Sequence, residues 1–176
     1  MKRIILLLSL LFVGFQVSAH TIGALRIVEG SWVSIKNEDA TIYVEFDYSA
    51  TRWFITNSYE EHCGEDYQAR VELSLNEFVA AFNENSQGLK MSTNPEGAKY
   101  KLVFHITNLE IWQMSSLYGR LCMFVHGEME ITEITTSATI CKIAVKGHSG
   151  KEDYTPEGRI AKCFSSLAKR LTKFKK

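Results

Sequence analysis

The most reactive-looking stretch of this chain is Glu60-Glu61-His62-Cys63-Gly64-Glu65-Asp66, where one thiol adjoins an imidazole and four carboxylates. A cysteine nucleophile needs a base that makes its thiolate, and histidine serves when the two side chains converge in space. On that chemistry Cys63 with His62 is the candidate centre of a thiol-dependent enzyme. The flanking carboxylates oppose it, because a second negative charge nearby is disfavoured and the thiol pKa rises. His62 with Glu60, Glu61, Glu65 or Asp66 also offers nitrogen and oxygen donors of the kind divalent ions take. The spacing matches no established ligand pattern, so a solvated acidic segment is the simpler reading, and neither a catalytic residue nor a metal ligand is assigned.

Cys63, Cys122, Cys141 and Cys163 form an even set without C-x-x-C spacing, which points to disulfides rather than zinc. Two bridges in three connectivities would use all four. Cys141 and Cys163 both fall on apolar faces, as disulfide partners or as buried thiols, and Cys122 is the natural remaining partner for Cys63. His105, His126 and His148 fall on strands and read as ordinary sheet histidines; His126 and His148, if both on an outer face, would meet only after a register shift. Near the C-terminus Arg159, Lys162, Lys169, Arg170, Lys173, Lys175 and Lys176 make a basic helix face. Lys162, Lys169, Arg170 and Lys173 are the candidate contact to an anionic membrane surface or acidic partner. The plainer reading is the solvated side of an amphipathic helix whose C-terminal end favours cations. Nothing resembles a P-loop, a dinucleotide fingerprint, a nucleophile elbow or a zincin helix, so no cofactor is implied.

The elements that must hold these residues follow from hydrophobic period. Leu25, Ile27, Trp32, Val33 and Ile35 suggest short extended pieces, and Ile42, Val44, Phe46 and Tyr48 alternate with Thr41, Glu45 and Asp47 as a half-buried strand, with Tyr43 breaking the polar face. Thr51 to Gln68 shows no period and reads as a surface loop with room for one short element. Ser74 to Glu77, enclosed by Leu73 and Phe78, has the form of a capping box with a hydrophobic staple, which starts a helix running to about Asn85; a start at Asp66 is the competing reading. Tyr100, Leu102, Phe104 and Ile106 share one face of a strand, and the shift of phase to Leu109 and Ile111 predicts a bulge. A hairpin follows around Thr135-Thr136-Ser137. Its core side is Met123, Val125, Met129, Ile131, Ile143 and Val145, and its outer side is Glu128, Glu130, Lys142 and Lys146. Thr155 and Pro156 open a last helix that presents Ile160, Phe164, Leu167 and Leu171 to the sheet. Together these predict an α+β two-layer sandwich: a mixed, mostly antiparallel sheet with two helices on one face in β-α-β-β-β-α order.

Lys2 and Arg3, the apolar run Ile4 to Gly14, and Val17-Ser18-Ala19 have the three parts of a secretory signal, which gives a signal peptide over 1–19 and a single domain over 20–176. The apolar run is short of the roughly 20 residues a transmembrane helix needs. Without Lys2 and Arg3 the chain has 18 basic and 20 acidic residues, a net charge of −2 that points away from nucleic acid. The expected protein is exported, to the periplasm or beyond, with a folded part that can bury its own core.

Ala40-Thr41-Ile42-Tyr43-Val44-Glu45-Phe46-Asp47-Tyr48-Ser49, Ala98-Lys99-Tyr100-Lys101-Leu102 and Gly158-Arg159-Ile160 with the helix that follows resemble a group of small secreted Bacteroidota proteins of unknown function. The likeness covers about two thirds of the mature chain and consists of framework, so it implies fold and lineage and brings no catalytic residues. Thr51 to Gln68 departs from the group, which is more basic and glycine-rich there. The element order is also similar to small bacterial envelope domains that act as accessory or assembly factors. The resulting expectation is a non-enzymatic envelope protein that binds or helps assemble a partner, with the thiol enzyme at Cys63 and His62 as its rival.

Overall fold

The computed structural model describes residues 24–53, 57–113, 121–149 and 155–175. The signal-peptide expectation for 1–19 lies outside them. In chain order the elements are β1 (Ala24–Gly30), β2 (Thr41–Asp47), β3 (Arg52–Trp53), β4 (Asn57–Ser58), α1 (Tyr59–Cys63), a 3-10 turn (Gly64–Asp66), α2 (Tyr67–Asn85), β5 (Lys90–Ser92), β6 (Tyr100–Gln113), β7 (Leu121–Glu133), β8 (Thr139–Ser149) and α3 (Pro156–Lys173). The main sheet runs β1-β8-β7-β6-β2-β5, and β3 extends it beside β6 with β4 paired to β3. Pairing is antiparallel from β1 to β6, whereas β2 lies parallel to both β5 and β6. This is an α+β fold with a mixed sheet, and α2 and α3 pack side by side on one of its faces.

Alternation places the core where the hydrophobic pattern demands. Ile42, Val44, Leu102, Phe104, Ile106, Met129, Ile131, Ile143 and Val145 are buried and meet Phe78 and Phe82 of α2 and Ile160, Phe164, Leu167 and Leu171 of α3. Phe46 joins the layers, its ring 5.3 Å from Phe78, 5.5 Å from Phe104 and 5.1 Å from Phe164. Rings at such separations in tilted geometry add to the area they bury. The expected bulge is present in β6 between Ile106 and Asn108, and it brings Leu109 back to the core. The hairpin closes through Thr135-Thr136-Ser137, with Ser137 at φ 57°. Thr155 caps α3 by accepting the Gly158 N–H, and Pro156 follows at the first turn.

Three expectations give way. Trp32, Val33 and Ile35 lie in a turn, not in extended pieces; Trp32 and Ile35 are buried there, and the Trp32 indole donates to the Leu171 carbonyl at 3.1 Å. With Lys36 Nζ donating to the Phe174 carbonyl at 2.9 Å, this turn bonds two carbonyls at the end of α3, of which that of Leu171 also accepts the Phe174 N–H. Between Thr51 and Gln68 the described residues form more than one short element: β3, β4, α1, the 3-10 turn and the start of α2. The long helix begins at Tyr67, close to the competing start at Asp66, and Ser74 is buried in its interior, donating to the Arg70 carbonyl at 2.7 Å. The capping box that does form is Ser58 with Glu61: Ser58 Oγ accepts from the Glu61 N–H at 3.1 Å and Glu61 Oε2 accepts from the Ser58 N–H at 3.2 Å. The main elements keep the expected β-α-β-β-β-α order, with β1, β5 and the small β3–β4 pair added to it.

Candidate functional site

The acidic cluster occupies α1, and helical geometry sends its neighbours in different directions. Successive helical residues point about 100° apart. The His62 ring lies flat on Trp53, centroids 4.0 Å apart and planes 10° apart, whereas Cys63 is buried toward Tyr59. The two therefore do not converge as a thiolate–imidazole pair. Burial is the main reason the Cys63 thiol is pushed above its ordinary value, and burial with the nearby Arg70 cation pulls His62 down. Both shifts disfavour an ion pair. Glu61 is used by the capping box and Asp66 pairs with Arg70 at 3.6 Å; among the described residues no group of three or more ligating side chains converges as a metal site.

Cys63, Cys141 and Cys163 are separate thiols in this structure, and all three are buried. Burial raises Cys141 to about 11, and the Cys163 thiol donates to the His148 carbonyl at 3.4 Å. Cys122 lies in β7, and its side chain is outside the described ones.

The histidines separate. His105 is on the outer face of the sheet, its Nδ1 2.8 Å from Asp47 Oδ2. His126 is half-buried, its Nδ1 accepting from the Gly147 N–H at 3.2 Å, with Glu110 4.0 Å from its Nε2. His148 does not share an outer face with His126: it is buried on the core side, with Nε2 3.2 Å from Ser166 Oγ. The cause is a bulge. From Gly127↔Val145 to Val125↔His148 the pairing advances two residues on β7 but three on β8, and Gly147 takes φ 58° at that point. The extra residue turns the strand by one side-chain position.

The outer face of the sheet is laced with cross-strand partners. Glu45 accepts from Lys101 across strands at 2.7 Å and from the Tyr43 hydroxyl of its own strand at 2.7 Å, Glu130 pairs with Lys142 at 3.0 Å, and beside the strands Lys99 pairs with Glu38 of the turn before β2 at 2.8 Å. Hydrogen bonds from Ser49, followed by His105, hold the Asp47 carboxyl down to about 2.

The basic face of α3 is built differently. Ile160, Cys163, Phe164, Leu167, Ala168 and Leu171 are fully buried against the sheet and α2. Lys162, Lys169, Arg170 and Lys173 are exposed on the opposite side and form no ion pair with any described residue. At 100° per residue Lys162, Lys169 and Lys173 fall within about 40° of one another, Arg170 flanks them, and the row is about 16 Å long. Among the described residues the apolar face of α3 is anchored in the core. The arrangement can attract an anion.

No family model and no curated protein matches this chain. Among solved structures it is similar to a PelC dodecamer from Paraburkholderia phytofirmans, at 10% identity over 84% of this chain and 97% of that one, with a TM-score of 0.46. The XCC0632 protein of Xanthomonas campestris, from the DUF330 family, gives 9% identity over 77% and 82%, with a TM-score of 0.34. Likeness at that level carries no functional weight. No helix among the described residues is long and apolar enough to cross a membrane.

Proposed function

We propose that this chain is an exported, non-enzymatic accessory or assembly factor of the cell envelope, and that it meets an anionic partner through the basic row on α3. The observation that carries the reading is the exposure of Lys162, Lys169, Arg170 and Lys173 without a described ion partner, on a helix whose other side is fixed in the core. Charges that are neither paired nor buried are available for long-range attraction to a partner. The secretory pattern at the N-terminus and the framework resemblance to small secreted Bacteroidota proteins support an envelope setting.

Crosslinking of the tagged, exported protein in its native envelope tests this reading, with the partner captured by wild type compared with that captured by a variant carrying Lys162→Gln, Lys169→Gln, Arg170→Gln and Lys173→Gln. Capture by wild type and loss in the variant supports it; equal capture moves the contact elsewhere. The rival thiol enzyme requires Cys63 to alkylate faster than an ordinary thiol at neutral pH. The buried, raised Cys63 is expected to react more slowly than free cysteine, as thiolate is the reacting form. Rapid alkylation would restore the rival.

A further inference from the structure

Beneath the basic row lies an imidazole that the proposed contact does not use. His148 is 3% exposed, turned inward by the Gly147 bulge. Its Nε2 meets Ser166 Oγ of α3 at 3.2 Å, and its carbonyl accepts the Cys163 thiol of the same helix at 3.4 Å. Its Nδ1 is buried with no hydrogen-bond partner among the described residues. Arg170, one of the four cations of the row, stands near enough to oppose a charge on the ring. One residue thus fastens α3 through both its side chain and its main chain.

We propose that His148 is an acid-sensitive latch that holds α3 on the sheet while neutral and loosens it when protonated. The inference rests on the basic-row reading for its use, since it names how that row would be regulated. The groups that face the ring argue for the direction. From α3 they are Ser166, Cys163 and Arg170; from β7 the residue opposite is the apolar Val125; on its own strand the neighbour is Gly147, whose N–H goes to His126. Among the described residues no carboxylate hydrogen-bonds the ring. A protonated imidazole donates from both nitrogens, so a buried Nδ1–H would lack an acceptor while the new charge faced Arg170. Each consequence is unfavourable in the docked state and is relieved when the helix lifts.

Burial first, then Arg170, pulls His148 from 6.5 down to about 4. For such a group the undocked form binds the extra proton between those two values. The latch is therefore fully closed above about pH 6.5 and weakens about tenfold per pH unit until about pH 4.

The test is hydrogen exchange of the full chain at pH 7.5 and 5.0, with α3 amides corrected for intrinsic rates and referenced to α2. Between the two pH values wild-type α3 is expected to open about 30-fold more often, and His148→Gln is expected to abolish that dependence. Equal pH dependence in wild type and variant overturns the latch. If His148→Gln does not fold, Arg170→Gln replaces it: removing the facing cation must reduce the acid opening, and an unchanged profile overturns the proposal. The exchange readout needs no partner. A flat response therefore removes the latch and leaves the basic row standing, whereas failure of the row to capture a partner at neutral pH leaves the exchange result intact.

Discussion

The outer face of the sheet and the exposed side of α3 both carry many charges, and they treat them in opposite ways. On the sheet, strand register sets Glu45 beside Lys101, Asp47 beside His105 and Glu130 beside Lys142, so acids and bases answer one another locally. On α3, Lys162, Lys169 and Lys173 stack along one helical row without an acid. Like charges at helical spacing repel mildly, and the helix dipole offsets that repulsion only within the last turn. It accounts for Arg170 and Lys173 but not for Lys162 and Lys169. The comparison separates a face made to be solvated from one whose charge is left unanswered, and charge alone would have marked both as candidates.

The comparison can be tested most harshly by removing what holds the basic row in place. Phe164→Ala deletes a fully buried ring that touches Phe46 and Phe104, and a loss of about 3–5 kcal/mol is expected in urea unfolding. A loss below 1 kcal/mol would mean that α3 is not anchored as described. Next comes the row itself. Near an anionic surface each cation contributes about 1 kcal/mol, so changing all four to Gln should cut binding to phosphatidylglycerol vesicles by about a thousandfold, and added salt should weaken wild-type binding. Binding that ignores both changes breaks the contrast. On the sheet, Lys101→Gln should leave vesicle binding unchanged and alter stability by less than about 1 kcal/mol, as for exposed ion pairs generally.

The smallest effect concerns Asp47. Its folded pKa of about 2 lies below the ordinary 3.8, so its stabilisation is present above pH 3.8 and is lost as pH falls through about 2. His105→Ala should raise that value by removing one of its supports, which carboxyl NMR titration would show; no movement would mean that Ser49 alone sets it.

Much of the framework was legible because short-range pattern coincided with burial. The strand from Thr41, the β6 bulge, the hairpin turn and the Thr155-Pro156 helix start each carried a local signal that the folded chain kept. The helix start failed for a specific reason: Ser-x-x-Glu occurs at both Ser58 and Ser74, and sequence alone does not say which serine meets a free N–H. Packing of Tyr59 against Tyr48, rings 5.4 Å apart, fixes α1 and lets the following helix run through Ser74. The basic row on α3 was readable as spacing. Its lack of ion partners was not, because partners come from other elements.

The sequence by itself determined which residues alternate, which helix is amphipathic and where charge accumulates, as these depend on neighbours one to four positions away. Only the tertiary structure decided that His62 and Cys63 diverge, that the three described thiols stay separate and that His148 faces inward beneath Arg170. Those outcomes rest on helix placement and on one extra residue in β8, and a single-residue bulge exchanges the two faces of a strand without altering the composition that pattern reading depends on.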